Sequence, residues 1–479
     1  MKKKLASGTA YLIIAQFLAV LANYSINIGI GRILGSEIYG IFGVLMSLYL
    51  LNTSFLNTGI PRSVSKFIAE SKNGLKNIFV KSFRLQLYSS LSFGFIYIIF
   101  SKLIAKALKD SSLTYYIIFM GIMVVPIAIR SLYTNGYLNG LRMFAEQSIV
   151  KSVHHILRVG LVFLFVLMGF KIWGILVGYF ISVTLTIWLS HYYLKDKMKS
   201  TGEFKNKKLI NFSIPITLTA INFTIIKNAN PFILKLLGID YSLIGFYTAA
   251  AALSNVSFLI FQPLSLTLMP SISKAISEKN NKLIQKYIRQ STRYLLLLIT
   301  PIMIIVATTA DELVTFFYTS SFVSAGAILS ILIISTTCFS IFRVFASIIN
   351  GAGKPNIDLI ITTIGVFLSL TLTLIFVPIY GAIGAAISLL ITAILSVLLS
   401  LIYIYKRFRT VIITAKSFIR IVISSFIIYI MATRTISSGW KLLIHYGVWL
   451  ITYFLILIIL NEITIKDLKL VKSILKKSS

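Results

Sequence analysis

The chain has 479 residues, of which 57% are hydrophobic and 12% charged, with a mean hydropathy of +0.91; soluble chains average about 25% charged residues, so an ordinary soluble domain is excluded. Its 46 Lys and Arg against 13 Asp and Glu give a net charge of +33, which in a membrane chain reports loops at an anionic lipid surface and not a nucleic-acid partner. The single cysteine, Cys338, leaves no intramolecular disulfide and no cysteine metal cluster.

Apolar runs of about 18 to 25 residues, bounded by charges or by Pro, Gly and Asn, predict membrane helices near 9–32, 40–60, 84–108, 113–135, 150–170 and 172–194. These six form a first block, 1–194. A Lys-rich stretch at 195–208 reads as a basic linker. A second block, 209–405, holds runs near 209–237, 241–263, 292–310, 325–349, 357–377 and 381–405; two further helices, near 415–434 and 440–462, occupy 406–465, and a basic tail follows at 466–479. The expected fold is therefore an all-α polytopic membrane protein of about 14 helices. A signal peptide is the competing reading of residues 1–22, rejected because that segment has a partner later in the chain.

Lys and Arg in alternate loops total 34 on one side and 8 on the other, which predicts both termini in the cytoplasm. Arg130, Arg158, Lys227 and Arg343 fall inside spans.

The chain repeats itself. Ser63 to Asn73 aligns without gaps to Ser271 to Asn281, with 6 of 11 positions identical, and each copy follows a proline, Pro61 or Pro270. Arg32 to Glu37 answers Lys235 to Asp240, Gly40 answers Gly245, Asn139-Gly140 answers Asn350-Gly351, and Phe170 to Gly174 answers Val377 to Gly381 at an offset of 207. Six helices separate equivalent positions, so both copies enter the membrane in the same direction. Transporters built from such parallel repeats hold their substrate between two bundles near the midplane.

All 13 acidic residues fall in loops or at helix ends, which disfavours coupling through a buried carboxylate and leaves no pair for acid/base catalysis; an enzyme is not expected. A cation in hydrocarbon costs at least about 2.5 kcal/mol unless it is paired, hydrated or snorkelled, and an anionic ligand would offset that. Arg130 and Arg343 stand about two turns before the repeated Asn139 and Asn350, where snorkelling competes with phosphate contact. Arg158 follows His154 by one turn on the same face. Lys227 opens the run Lys227-Asn-Ala-Asn-Pro-Phe232, a candidate broken-helix site, and Asn230 corresponds to Asn27 of the first helix, which also carries Gln16 and Asn23; bonding between helices is the plainer reading of these amides. The candidate cavity residues are Asn23, Asn27, Arg130, Arg158, Lys227, Asn230 and Arg343. Lys102 and Lys106 follow the third span, whereas Asp311 and Glu312 follow its repeat-related ninth, so opposite charges at equivalent outer positions form a candidate gate. The glycine pairs at GxxxG spacing read as helix packing, and no P-loop, GxGxxG or metal-ligand cluster is present, so no cofactor and no metal is expected.

Arg32-Ile-Leu-Gly-Ser-Glu-Ile-Tyr-Gly-Ile-Phe42, Gly59-Ile-Pro-Arg62, Tyr137-Leu-Asn-Gly-Leu141 and Ile244-Gly-Phe-Tyr-Thr-Ala-Ala250, with the repeat and the two extra helices, resemble the oligosaccharide flippase, or polysaccharide transporter, branch of the multidrug/oligosaccharidyl-lipid/polysaccharide exporter superfamily. The resemblance implies two six-helix lobes forming a V, and a flippase moving polyprenyl-diphosphate-linked oligosaccharide, a precursor of cell-surface polysaccharide, to the outer leaflet of the plasma membrane. Membrane lipids and glycan-assembly enzymes would be its partners. Two sister branches compete. A multidrug/cation antiporter would carry a carboxylate in helix 1 or 7, and a lipid II flippase a cluster of arginines in the inner half of helix 1, where this chain has Gln16, Asn23 and Asn27. A membrane glycosyltransferase would need a large outer loop, and the outer loops here are short.

Overall fold

A computed structural model describes residues 2–70, 75–195, 197, 206–435, 439–464 and 467. The expected linker and tail lie largely outside the described residues. The helices are α1 (Lys2–Glu70), α2 (Leu75–Ala107), α3 (Leu113–Ser131), α4 (Phe144–Phe165), α5 (Lys171–Leu194), α6 (Asn206–Asn228), α7 (Asn230–Leu236), α8 (Tyr241–Ser254), α9 (Val256–Ser277), α10 (Asn281–Thr308), α11 (Ala310–Phe317), α12 (Ala325–Gly351), α13 (Pro355–Phe408), α14 (Ala415–Arg434) and α15 (Trp440–Ile459). No strand occurs among the described residues.

Among the described residues, ten stretches are long and apolar enough to cross a membrane. At about 1.5 Å per residue, the 69 residues of α1 and the 54 of α13 are each long enough to cross twice. They turn at Gly35 (φ 78°) and Gly381 (φ 57°), and the continuous run from α4 into α5 turns at Gly169 (φ 91°), all left-handed conformations that suit a residue without Cβ. These three double crossings, with the pass made by α6 and α7, account for the fourteen expected.

Packing divides the chain into two compact units, Met1–Thr248 and Ala249–Ser479. In the first, the end of α1 and the starts of α2 and α4 bury Val64, Ile68, Ile78, Phe79 and Val150 around Tyr137, whose hydroxyl donates to the Phe79 carbonyl at 3.0 Å. In the second, α10 carries the two extra helices: Leu297 and Ile305 pack with Ile421, Ile428, Trp449 and Tyr453. Gln285, Arg289 and Arg293 recur at four-residue spacing on α10, so they share a face. Gln285 donates to the Phe408 carbonyl (2.9 Å), Arg289 to Thr410 (3.1 Å) and Arg293 to Glu462 (2.6 Å), which fastens the chain beyond α13 and beyond α15 to one helix.

The packing corrects one register of the repeat. Every buried position of α5, from Ile172 to Leu194, has a buried counterpart in α13 exactly 210 residues later, including Ser182, Thr186 and Ser190 opposite Thr392, Ser396 and Ser400. The turn residue equivalent to Gly381 is thus Lys171 (φ 46°), and Gly174 is equivalent to Gly384. Each of those two glycines abuts the backbone of the preceding helix, Gly174 at Phe165 and Gly384 at Phe376. Matching Gly174 to Gly381 at 207 paired two glycines of different purpose. The turns at 139–143 and 350–354 repeat at an offset of 211, with the same three backbone hydrogen bonds and with Arg142 (φ 58°) opposite Gly353 (φ 73°).

Candidate functional site: a basic cluster in the first unit

On α4, Lys151, His154, His155 and Arg158 lie at i, i+3, i+4 and i+7, one face of the helix. Arg130, in the last turn of α3, is within electrostatic reach of all four, and Tyr49 of α1 is within reach of both arginines. Arg158 is 7% exposed; its Nη2 donates to Asn23 Oδ1 at 2.6 Å, and its guanidinium lies 5.1 Å from the Tyr179 ring, which meets Tyr49 edge-on at 5.5 Å. Among the described residues, Nε of Arg130 and of Arg158 and Nδ1 of His154 and of His155 are buried without a hydrogen-bond partner, and neither arginine nor Lys151 is in an ion pair. Beside them a cavity of about 160 Å³ is lined by Gln16, Asn139, Gln147, Lys151 and His155. Five basic groups gather here, and two of them, Lys151 and His155, line a polar recess whose lining has no carboxylate. Buried charge of one sign is tolerated where an opposite charge arrives, so the arrangement suits an anion.

Arg130, Arg158 and Asn23 are among the residues expected from the sequence; Lys151 and His155 are not. The i, i+3, i+4, i+7 spacing was the signal that would have found both.

The remaining expected residues take other places. Lys227 is half-buried in the last turn of α6, and the helix is interrupted at Ala229, where Pro231 has no N–H for the Lys227 carbonyl. Asn230, 1% exposed, donates to Tyr247 Oη at 2.6 Å, which ties α7 to α8, and Asn27 accepts from Tyr39 Oη at 3.0 Å, which ties the two halves of α1 across the turn at Gly35. Arg343 is half-buried on α12 of the second unit. Lys102 and Lys106 are exposed near the end of α2; Asp311 and Glu312 sit in the first turn of α11, where negative charge complements the helix N-terminus, and Gly326 abuts Asp311.

A cluster not foreseen in the sequence joins the α2–α3 turn to the start of α8. Asp110 Oδ2 accepts from Tyr241 Oη, and Lys235 Nζ lies 3.8 Å from the Tyr241 ring centroid. Burial works against ionisation of Asp110, but hydrogen bonds from Ser112 and Tyr241 and the charge of Lys235 outweigh it and hold the carboxyl below its ordinary value. Alongside, Gly40 abuts the Tyr241 carbonyl and Gly245 the Ser36 carbonyl, a reciprocal contact between repeat-related glycines.

The profile of the polysaccharide biosynthesis protein family matches residues 5–276, more than half of the chain. The chain belongs to this family. The MatE family profile matches residues 215–375. The chain is 28% identical over 373 residues to an uncharacterised membrane protein of Methanocaldococcus jannaschii, covering 74% of this chain and 86% of that one. It is 24% identical to the stage V sporulation protein B of Bacillus subtilis (67% and 68% covered) and 23% identical to the lipid II flippase MurJ of the same organism (80% and 79%). Among solved structures, the inward closed conformation of lipid II flippase MurJ superposes with a TM-score of 0.77 at 17% identity, over 94% of this chain and 98% of that one. An inward-facing multidrug resistance MATE family transporter superposes at 0.69 with 16% identity, over 80% and 94%. Family and fold make this a multi-pass membrane transporter of the exporter superfamily, in a group of transporters and flippases and not of enzymes.

Proposed function

We propose that the protein is a plasma-membrane flippase, with both termini in the cytoplasm, that carries a polyprenyl-diphosphate-linked oligosaccharide from the cytoplasmic to the outer leaflet by alternating access. The observation that carries this reading is the basic cluster of the first unit: two arginines, a lysine and two histidines, buried or half-buried and without a carboxylate counter-charge, beside a polar cavity. A diphosphate supplies the missing negative charge and the acceptors for the orphaned N–H groups. In this reading 1–194 and 209–405 are the two lobes, Asn23, Arg130 and Arg158 hold the diphosphate, and Asn27, Lys227, Asn230 and Arg343 belong to the polar wall of the path. Lys102 and Lys106 act against Asp311 and Glu312 as an outer gate, and glycan-assembly enzymes deliver the cargo.

A lipid II-type peptidoglycan precursor is the second reading, favoured by the MurJ likeness in sequence and fold. Leaflet-resolved analysis of polyprenyl-diphosphate-linked glycans after depletion in the native host tests both. Oligosaccharide accumulating on the cytoplasmic side, rescued by the wild type and not by Arg158→Ala or Arg130→Ala, supports the proposal. Accumulation of a peptidoglycan precursor instead replaces the cargo, and normal lipid-linked glycans with raised sensitivity to cationic drugs replace the flippase with an antiporter.

A further inference from the structure

Two carboxylates are buried among the described residues, and they are treated differently. Glu462, 2% exposed, is paired with Arg293 at 2.6 Å and with Arg420 at 3.3 Å. Asp358, also 2% exposed, is in no ion pair among the described residues. Its side chain has one partner: Asn350 Nδ2 donates to Asp358 Oδ2 at 2.9 Å. Asp358 Oδ1 and Asn350 Oδ1 are both buried acceptors without a hydrogen bond. The sequence placed Asp358 at a helix end and so among the unburied acids; it is in the first turn of α13, but tertiary packing covers it.

The first unit shows what this corner looks like when it is neutral. At the offset of 211, Asn139 and Gln147 stand where Asn350 and Asp358 stand. Asn139 Nδ2 donates to Gln147 Oε1 at 3.1 Å, Gln147 Nε2 donates to the Thr134 carbonyl at 2.9 Å, and Ser65 Oγ donates to Asn139 Oδ1 at 2.8 Å. That network is closed and uncharged. In the second unit the serine of the repeat, Ser273, gives its hydroxyl to the Gly351 carbonyl instead (2.8 Å), which leaves Asn350 Oδ1 without a donor. The amide of Gln147 is replaced by a carboxylate. One network is complete, and its counterpart lacks one positive charge and a partner for two oxygens.

The N-terminus of α13 favours Asp358 as an anion, but a helix terminus offsets only a small part of what a buried carboxylate loses with its water. Asn350 lies in the last turn of α12, whose C-terminal end adds negative potential at the same place. We propose that Asp358 Oδ1 and Asn350 Oδ1 are ligands of a bound monovalent metal cation of the sodium class. Hard oxygen donors suit such an ion, and a single carboxylate matches a single charge. A divalent ion would call for more acidic ligands, and no group of three metal-ligating side chains occurs among the described residues. The two repeats thus have opposite charge preferences at the same corner: Asn139 and Gln147 line the cavity of the basic cluster, and Asn350 and Asp358 supply oxygens to a cation.

The test uses the full chain, purified in detergent, with thermal unfolding followed as sodium chloride replaces choline chloride at constant ionic strength and constant pH. The wild-type midpoint rises with sodium and saturates, as binding to the folded state alone requires. Asp358→Asn, which installs the neutral amide chemistry of the first repeat, has a midpoint that does not respond to sodium, and Asn350→Ala needs at least about tenfold more sodium for the same rise. Sodium NMR line broadening by the wild type, lost in Asp358→Asn, gives a readout independent of unfolding. A wild-type midpoint that is the same in sodium, potassium, lithium and choline overturns the site, as does an undiminished sodium response in Asp358→Asn. A midpoint that follows pH and ignores every alkali ion assigns the missing charge to a proton on Asp358 and overturns the metal.

Discussion

Arg158 is a charge held inside the bundle with few partners. Its guanidinium has one hydrogen bond, to Asn23, and one aromatic face, Tyr179, and its Nε is left without a partner. A hydrogen bond to a charged group contributes about 1.5–3 kcal/mol, and the accessibility of Asn23 places this one at about 1.5 kcal/mol. A double-mutant cycle of Asn23→Ala and Arg158→Ala, read by denaturant unfolding, is expected to return that coupling; a value indistinguishable from zero would mean that the contact contributes nothing to the fold. Asp110 is a charge held outside the spans. Its carboxyl sits below its ordinary value in the folded protein, so the stabilisation it gives is complete above the unfolded value of about 4 and is lost as pH falls through the lower folded value. The wild type should therefore lose stability on acidification below about pH 4 more steeply than Asp110→Asn, measured as unfolding midpoint against pH. Arg158 was legible because a basic residue within an apolar run is conspicuous. Lys151 was not, because it stands one residue inside the predicted boundary at 150, where a lysine reads as a helix-end charge, and only the packing of α4 shows that it faces inward with His154 and His155.

The hairpins depend on two kinds of glycine that a motif search cannot tell apart. Gly381 serves a left-handed turn and has open space where a Cβ would be; Gly384 has the Phe376 carbonyl there. Gly381→Ala is expected to cost about 1 kcal/mol, since the equivalent position already holds a side chain, Lys171, at φ 46°. Gly384→Ala has to push apart two helices at a backbone contact and should cost more, about 2–3 kcal/mol. Comparison of the two by unfolding midpoint decides the register: a larger loss at Gly381 would restore the offset of 207. Sequence matching missed the offset of 210 because it rewarded identity of residue type. The repeated feature is the burial pattern, in which Thr and Ser replace one another at the same depth: Ser182 opposite Thr392, and Thr186 opposite Ser396. The spans themselves were legible because the bilayer asks every crossing for about 20 apolar residues whatever its neighbours are.

At the scale of the whole molecule, the proposed alternating access rests on contacts that act in one state and not in the other, and the proposed gate would make them charges. Lys102 and Lys106 are exposed at the end of α2, and at the start of α11 Asp311 is exposed and Glu312 half-buried, so neither pair is sealed from water. If they oppose each other in the proposed gate, Asp311→Lys with Glu312→Lys turns attraction into repulsion and shifts the population away from the outer-closed state. Exposed pairs contribute about 0–1 kcal/mol each, so the change is limited to about fivefold per pair and shrinks at high ionic strength. Alkylation of single cysteines from either side of the membrane, in a Cys338→Ala background, reads the population directly. Asp311→Asn with Glu312→Gln separates the gate from a local effect, because the neutral pair removes the favourable charges at the α11 N-terminus, about 0.3–1 kcal/mol each, without introducing repulsion. Accessibility that responds to the lysines, less to the amides, and less still in high salt is the signature of a charge gate. Equal accessibility in all variants would leave Asp311 and Glu312 with their helix as their only task, and the outer side would then be held by contacts of the kind seen at Asp110, Tyr241 and the reciprocal glycines Gly40 and Gly245.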